Sequence, residues 1–347
     1  MARKTILIIK HGFSETCDHH VSPVVSYGDV FRCTCLLEDF KGWHVTWITA
    51  KAARDLLTGN PLIDKLILAD SPDQIGRGEL LGWYDQVVNL EKQRDWCEFA
   101  AGLPVGRRYG FRDWTATGAD CFYPESAAAL SAGLAKEGYK TLQDTLFETV
   151  GRTWQGQRYV LGHQPRVAEI YDVGLNNHVG PKWPNKVWPG GHWESLHERL
   201  AEMGYAVCWQ QSLNSLRHYM DWLASCRLVV TCDSLGLHLA LGLRKKVVGL
   251  FGPTLPQQIY MYGLGAKLTP ACDRPCVPCM KTRCDYARCC MEHITPKMVA
   301  QTTELLLGRV GGTAPAEEPA SGLGVPWRRR GRRSGAPERT LVGVGAR

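Results

Sequence analysis

The stretch RLVVTCDSLGLHLALGLRKKVVGLFGPTLP, Arg227 to Pro256, reads as one complete βαβ unit. An apolar run (Leu228 to Val230) leads into Asp233-Ser234, and a helix-like segment (Leu235 to Leu243) follows. A second apolar run (Val247 to Phe251) then ends in the turn Gly252-Pro253-Thr254. In an open parallel sheet, ligands sit beyond the carboxyl ends of the strands, where both polar turns fall. The free amides at the start of the intervening helix suit a phosphate. Chemistry alone therefore predicts a nucleotide-type ligand here.

Working outward, the pattern repeats. Thr5–Lys10, His44–Ile48, Ile63–Leu68 and Gln86–Leu90 read as strands, with helical spacing at Val30–Phe40 and Ala50–Leu57. Gly102–Tyr123 shows no clean period and reads as loops over a sheet edge, and a helix falls within Thr141–Thr153. A second series starts with a strand at Ile170–Leu175 and continues through His192–Met203, Ala206–Trp209 and Leu216–Ala224. It closes with a helix at Pro296–Leu307, for which Thr295 is the N-cap. Two βα series predict two doubly wound domains, 1–165 and 166–307, followed by a tail, 308–347. A single large mixed sheet is the alternative.

Composition sets limits. A hydrophobic fraction of 44% with 22% charged residues is that of a globular protein. No apolar run approaches the roughly 20 residues of a membrane span. The start, MARKTILIIKHG, reads as a buried first strand, so a cytoplasmic location is expected. The net charge of +7 misleads, because eight Arg and three Glu after Leu307 contribute +5 of it. That tail, with its Arg328–Arg333 cluster, has no core-forming pattern and is expected to be disordered. It could bind anionic lipid or nucleic acid nonspecifically, or be an extension without function. The remainder is nearly neutral and lacks a basic stripe, which argues against specific nucleic-acid binding.

Candidate chemistry concentrates in three places. In Ser26-Tyr27-Gly28-Asp29-Val30, Asp29 stands at a helix entrance, where an N-cap is the bland reading. Arg32, one turn on, shares its face. In VGLNNHVGPKWPNKVWP (173–189), Asn176, Lys182 and Lys186 follow an apolar strand and make a plausible anion-binding loop, although Trp and Pro beside Lys186 equally serve packing. In CDRPCVPCMKTRCDYARCC (272–290), Cys276, Cys279, Cys284 and Cys290 offer four thiols, with Cys272 and Cys289 as alternates. In a cytosolic chain such spacing reads as structural zinc before disulfides, with free thiols or an iron–sulfur cluster as alternatives.

DSLGLHLALGL followed by LFGPT, the Gly-Asp-Val at 28–30 and Lys186-Val187-Trp188-Pro189 together resemble glycosyltransferase family 9, the ADP-heptose:lipopolysaccharide heptosyltransferases. The resemblance covers roughly residues 3 to 307. It implies a GT-B fold, two Rossmann-like domains facing a central cleft, and an inverting, metal-independent transfer from a nucleotide sugar. It implies Asp29 as base, Lys186 (with Lys182 as alternative) at the leaving diphosphate, and Asp233, Ser234, His238, Gly252 and Thr254 at the donor. A lone His such as His238 is otherwise a satisfied helix residue, and Thr254 a simple cap. The chain departs from the family at two points. The glycine of Asp-Ser-Leu-Gly-Leu-His is displaced by one position, and the loop before Tyr27, with Glu15, Asp18, His19 and His20, is long. Implied partners are a nucleotide-sugar donor and a lipid-linked or oligosaccharide acceptor, at the inner face of the cytoplasmic membrane. A nucleotide-sugar-binding protein without catalysis is the rival reading.

Overall fold

The computed structural model describes residues 2–13, 24–112, 140–211, 215–272, 274 and 276–308. The long loop carrying Glu15 to His20 and the Arg-rich tail from 309 onward lie outside the described residues.

The first sheet is built from β1 (Thr5–Ile9), β2 (His44–Thr49), β3 (Lys65–Leu68), β4 (Tyr84–Asn89) and β5 (Val105–Gly110), all parallel, in the order β3-β2-β1-β4-β5. The second holds β6 (Tyr171–Asn176), β7 (Val207–Trp209), β8 (Cys226–Cys232), β9 (Lys246–Leu250) and β10 (Gly265–Leu268), also parallel, in the order β10-β9-β8-β6-β7. The described residues thus form two separate parallel sheets and not a single large mixed one. Strands such as TILII are apolar and buried from the second residue on, Ile6 to Ile9, because helices cover both faces.

Each sheet has one place where the strand order reverses, between β1 and β4 in the first and between β6 and β8 in the second. Crossover connections leave opposite faces there, opening a crevice at the carboxyl ends of the two strands. Those ends carry Lys10 and Asn89 in one sheet, and Asn176 and Asp233 in the other.

Three sequence expectations need correction. The helix expected over Val30–Phe40 is a short α1 (Tyr27–Arg32) continued as a 3-10 turn over Cys33–Phe40. Ala50–Leu57 likewise divides into a 3-10 turn and a single-turn α2 (Arg54–Leu57). The loop reading of Gly102–Tyr123 misses β5, whose Gly-Arg-Arg sequence has little strand preference and is held by pairing with β4. β10, a four-residue edge strand, and α3 (Arg94–Gly102), which buries Trp96, Cys97 and Ala100, were also not foreseen.

The remaining helices are α4 (Leu142–Thr149), α5 (Gly190–Glu202), α6 (Leu216–Ala224), α7 (Leu235–Gly242) and α8 (Pro296–Leu307). The last two of these bear out their readings closely, and the Thr295 side chain accepts from the Met298 amide as its cap. The two halves meet where α1 packs on α7. The Phe31 ring lies where a Cβ on Gly242 would come within 2.9 Å of it, and both halves share one apolar cluster. Among the described residues no helix is long and apolar enough to cross a membrane.

Candidate active site between the two sheets

The cavities beside the two switch points meet at Asp29 and Arg32. A cavity of about 290 Å³ is lined by Ser26 to Asp29 and Arg32 from the first half, and by Lys182, Lys186, Asp233, Ser234, Gly236 and His238 from the second. A second cavity of about 250 Å³ shares Asp29 and Arg32 and extends toward Leu90, Phe111 and α4. Asp29 therefore stands between two chambers, one reaching the second sheet and one staying within the first half.

Asp233 follows β8 and is largely buried. Its Oδ2 accepts from Lys186 Nζ at 2.9 Å and from Thr254 Oγ1 at 2.8 Å. Burial alone would raise this carboxyl, but the Lys186 ammonium outweighs it and holds the pKa down to about 2. The three residues singled out in separate motifs thus form one contact.

Asn176, at the end of β6, donates from Nδ2 to Thr231 Oγ1 (2.7 Å) and Ser234 Oγ (3.4 Å), and accepts from Tyr219 OH (2.8 Å). This network explains the displaced glycine. A Cβ on Gly236 would fall 2.2 Å from Asn176 Nδ2 and 2.4 Å from Tyr219 OH, so only glycine fits. The first turn of α7 is thereby kept open, with Ser234, Leu235 and Gly236 lining the cavity. Its unpaired amides are an anion-binding element.

His238 is buried, and burial pushes its pKa down to about 3. Neutral, it lies 3.4 Å through Nδ1 from Tyr159 OH, and Gly28 of α1 approaches its ring. Its place is the seam between the halves, so it cannot serve as a cationic clamp.

Asp29, in α1, accepts from Arg32 Nη2 at 2.6 Å and ion-pairs with Lys10 Nζ. These two cations override burial and hold the carboxyl well below its usual range. Lys10, Glu91, Tyr159 and Tyr219 were not among the candidates. The readable signal for the first two was position, at the carboxyl ends of neighbouring strands.

The Cys-rich loop packs behind the turn Gly252-Pro253-Thr254 and the segment around Asn185. Met280 N donates to Pro253 O (2.8 Å), Asn185 N to Thr282 O (3.4 Å) and Cys289 Sγ to Asn185 O (3.5 Å). Gly252 has no room for a side chain, since a Cβ would meet Met291 Sδ at 2.5 Å and Cys290 Sγ at 2.9 Å. The neighbouring Cys290 thiol lowers the Cys289 pKa to about 6. Among the described residues, no three His, Cys, Asp or Glu side chains are gathered as a metal-holding group. Packing and hydrogen bonds hold the loop as it stands.

Residues 212–289 match the model of glycosyltransferase family 9 (heptosyltransferase). The chain is 28% identical over 165 residues to lipopolysaccharide heptosyltransferase 1 of Pseudomonas aeruginosa, covering 37% of this chain and 46% of that protein. It thus spans less than half the length of that curated relative. Among solved structures it is similar to E. coli heptosyltransferase WaaC with ADP, at 16% identity and a TM-score of 0.58, over 87% of this chain and 99% of that one. It is also similar to the iron-containing dodecameric glycosyltransferase TibC of enterotoxigenic E. coli, at 13% identity and a TM-score of 0.53, over 88% and 76% of the chains. At such identities the structural likeness carries the fold, which is GT-B.

Proposed function

We propose that this chain, a heptosyltransferase-like protein of glycosyltransferase family 9, transfers a heptose from ADP-heptose to a glycan hydroxyl with inversion at the anomeric carbon. The observation that carries this reading is the shared cleft. One cavity wall holds a carboxylate, Asp29, and the facing wall holds Lys186, Lys182, Asp233 and the open end of α7.

In this reading the diphosphate lies against the α7 amides with Lys186 and Lys182 beside it. Lys186 is ion-paired with Asp233, so it shifts its charge toward the diphosphate as negative charge grows there. Asn176, Ser234, Thr254 and Asp233 then hydrogen-bond the donor, and Gly252 lets its turn sit close. The acceptor hydroxyl enters from the chamber lined by Leu90, Phe111 and α4. Its oxygen bonds to the anomeric carbon as the bond from that carbon to the phosphate oxygen breaks. The hydroxyl proton passes to Asp29. A carboxylate clamped by two cations is a weak base, so it takes the proton only as the forming bond makes the hydroxyl strongly acidic. Protein cations neutralise the leaving group, and no divalent metal enters the step.

The acceptor is proposed to be a lipopolysaccharide core or another lipid-linked glycan, met at the inner face of the cytoplasmic membrane. Residues 1–165 and 166–307 are proposed as the acceptor and donor domains. A structural zinc held by Cys276, Cys279, Cys284 and Cys290 is proposed apart from the reaction.

Two measurements test the reading. A panel of nucleotide sugars in a thermal-shift assay should single out ADP-heptose, since a ligand of the folded state raises its melting temperature. Asp29→Asn should keep that shift while turnover falls by about 10²-fold or more. Unchanged turnover would falsify the base assignment, and binding with no transfer by the native chain would favour the non-catalytic reading.

A further inference from the structure

The first switch point contains a buried charge cluster that donor binding does not explain. Lys10, directly after β1, contacts the Asp29 carboxylate and lies 3.1 Å through Nζ from Glu91 Oε1. The side chain of Glu91 is fully buried just beyond β4. Its Oε1 also accepts from the His11 and Gly12 amides, each at 2.8 Å, and Lys10 Nζ donates to Leu90 O at 3.3 Å. Glu91 thereby closes the turn after β1 and fixes the root and head of the lysine together. Buried ion pairs are poor stabilisers compared with apolar packing, so a cluster of this kind calls for a role beyond the fold.

We propose that Lys10, held in place by Glu91, is the positioning residue of the transfer, orienting the Asp29 carboxylate between the two chambers. The inference rests on the reading of Asp29 as the base. Lys10 takes one lone pair of Oδ2 and Arg32 one of Oδ1. Each oxygen keeps a second lone pair for an incoming hydroxyl.

The groups facing Asp29 are Lys10 after β1, Arg32 on α1, Cys33 at the start of the 3-10 turn that follows it, Glu91 beyond β4, and His238 on α7. Burial raises the Cys33 thiol to about 12, so it stays protonated, and His238 is neutral. Lys10 and Arg32 are therefore the cations that keep Asp29 ionised.

The test follows the Asp29 carboxyl by carbon NMR in the full chain labelled at aspartate, with Asp29→Asn assigning the resonance. In the native chain that resonance should stay at its ionised position down to pH about 4. Lys10→Met should move its titration up by at least one pH unit, and Lys10→Arg should restore it. The turnover number with ADP-heptose should fall about ten-fold or more in Lys10→Met while KM for the donor stays within about two-fold. Should Lys10→Met fail to fold, Lys10→Met/Glu91→Gln removes both charges and is read in the same way. An Asp29 titration unmoved by loss of Lys10 overturns the inference. Full turnover in Asp29→Asn overturns the base reading instead, whatever the Lys10 variants show.

Discussion

Replacing Lys186 by methionine separates its electrostatic role from its packing. Methionine fills a similar volume, and the site is largely buried, so the chief change is loss of the charge 2.9 Å from Asp233 Oδ2. Asp233 is held at about 2 against an ordinary value of 3.8. At about 1.36 kcal/mol per pH unit, that depression contributes about 2 kcal/mol of stability at pH 7. A depressed carboxyl contributes fully above its unfolded value and loses the contribution as pH falls through its folded value. The contribution should therefore drop to about half at pH 3 and nearly vanish below pH 2. Without Lys186, burial pushes the carboxyl up, so the variant should be less stable than native by 2 kcal/mol or somewhat more at pH 7 (about). Urea denaturation of both proteins between pH 7 and pH 3 measures the gap. Narrowing toward low pH is the expected result. A gap of the same size at every pH would mean that lost packing, and not the ion pair, is responsible, and the reasoning about Asp233 would be wrong.

Other perturbations follow from the same geometry. Gly236→Ala forces a methyl group into the Asn176–Tyr219 contact, so stability should fall by about 1–3 kcal/mol and the thermal shift with ADP-heptose should shrink. An intact shift would show that the α7 entrance tolerates a side chain. Removing residues 309–347 should leave the melting temperature unchanged. A large drop would mean that the tail packs on the folded part, and loss of binding to anionic vesicles would give the Arg cluster a membrane role. Elemental analysis of protein purified without added metal tests the Cys-rich loop. One zinc per chain supports the structural-zinc proposal, iron points to another centre, and metal-free protein with titratable thiols removes the site.

The residues of the cleft were largely legible one motif at a time. Apolar runs ending in polar turns identified the carboxyl ends of strands and with them Asp233, Ser234 and Thr254, which are local features, whereas Asp29 and the choice of Lys186 came from the family resemblance of their motifs. What each residue touches was not legible. The pairing of Lys186 with Asp233 spans 47 positions and that of Lys10 with Glu91 spans 81, and both exist only because the parallel strands stand side by side. Edge strands β5 and β10 escaped notice for the same reason, since their hydrogen bonds come from a neighbour and leave little mark on their own residues. Composition and periodicity thus determine which segments are buried and where strands end. Strand order, the reversal points that open the crevices, and the charges that meet inside them are decided only when distant segments pack, because ion pairing and desolvation depend on distance in space and not along the chain.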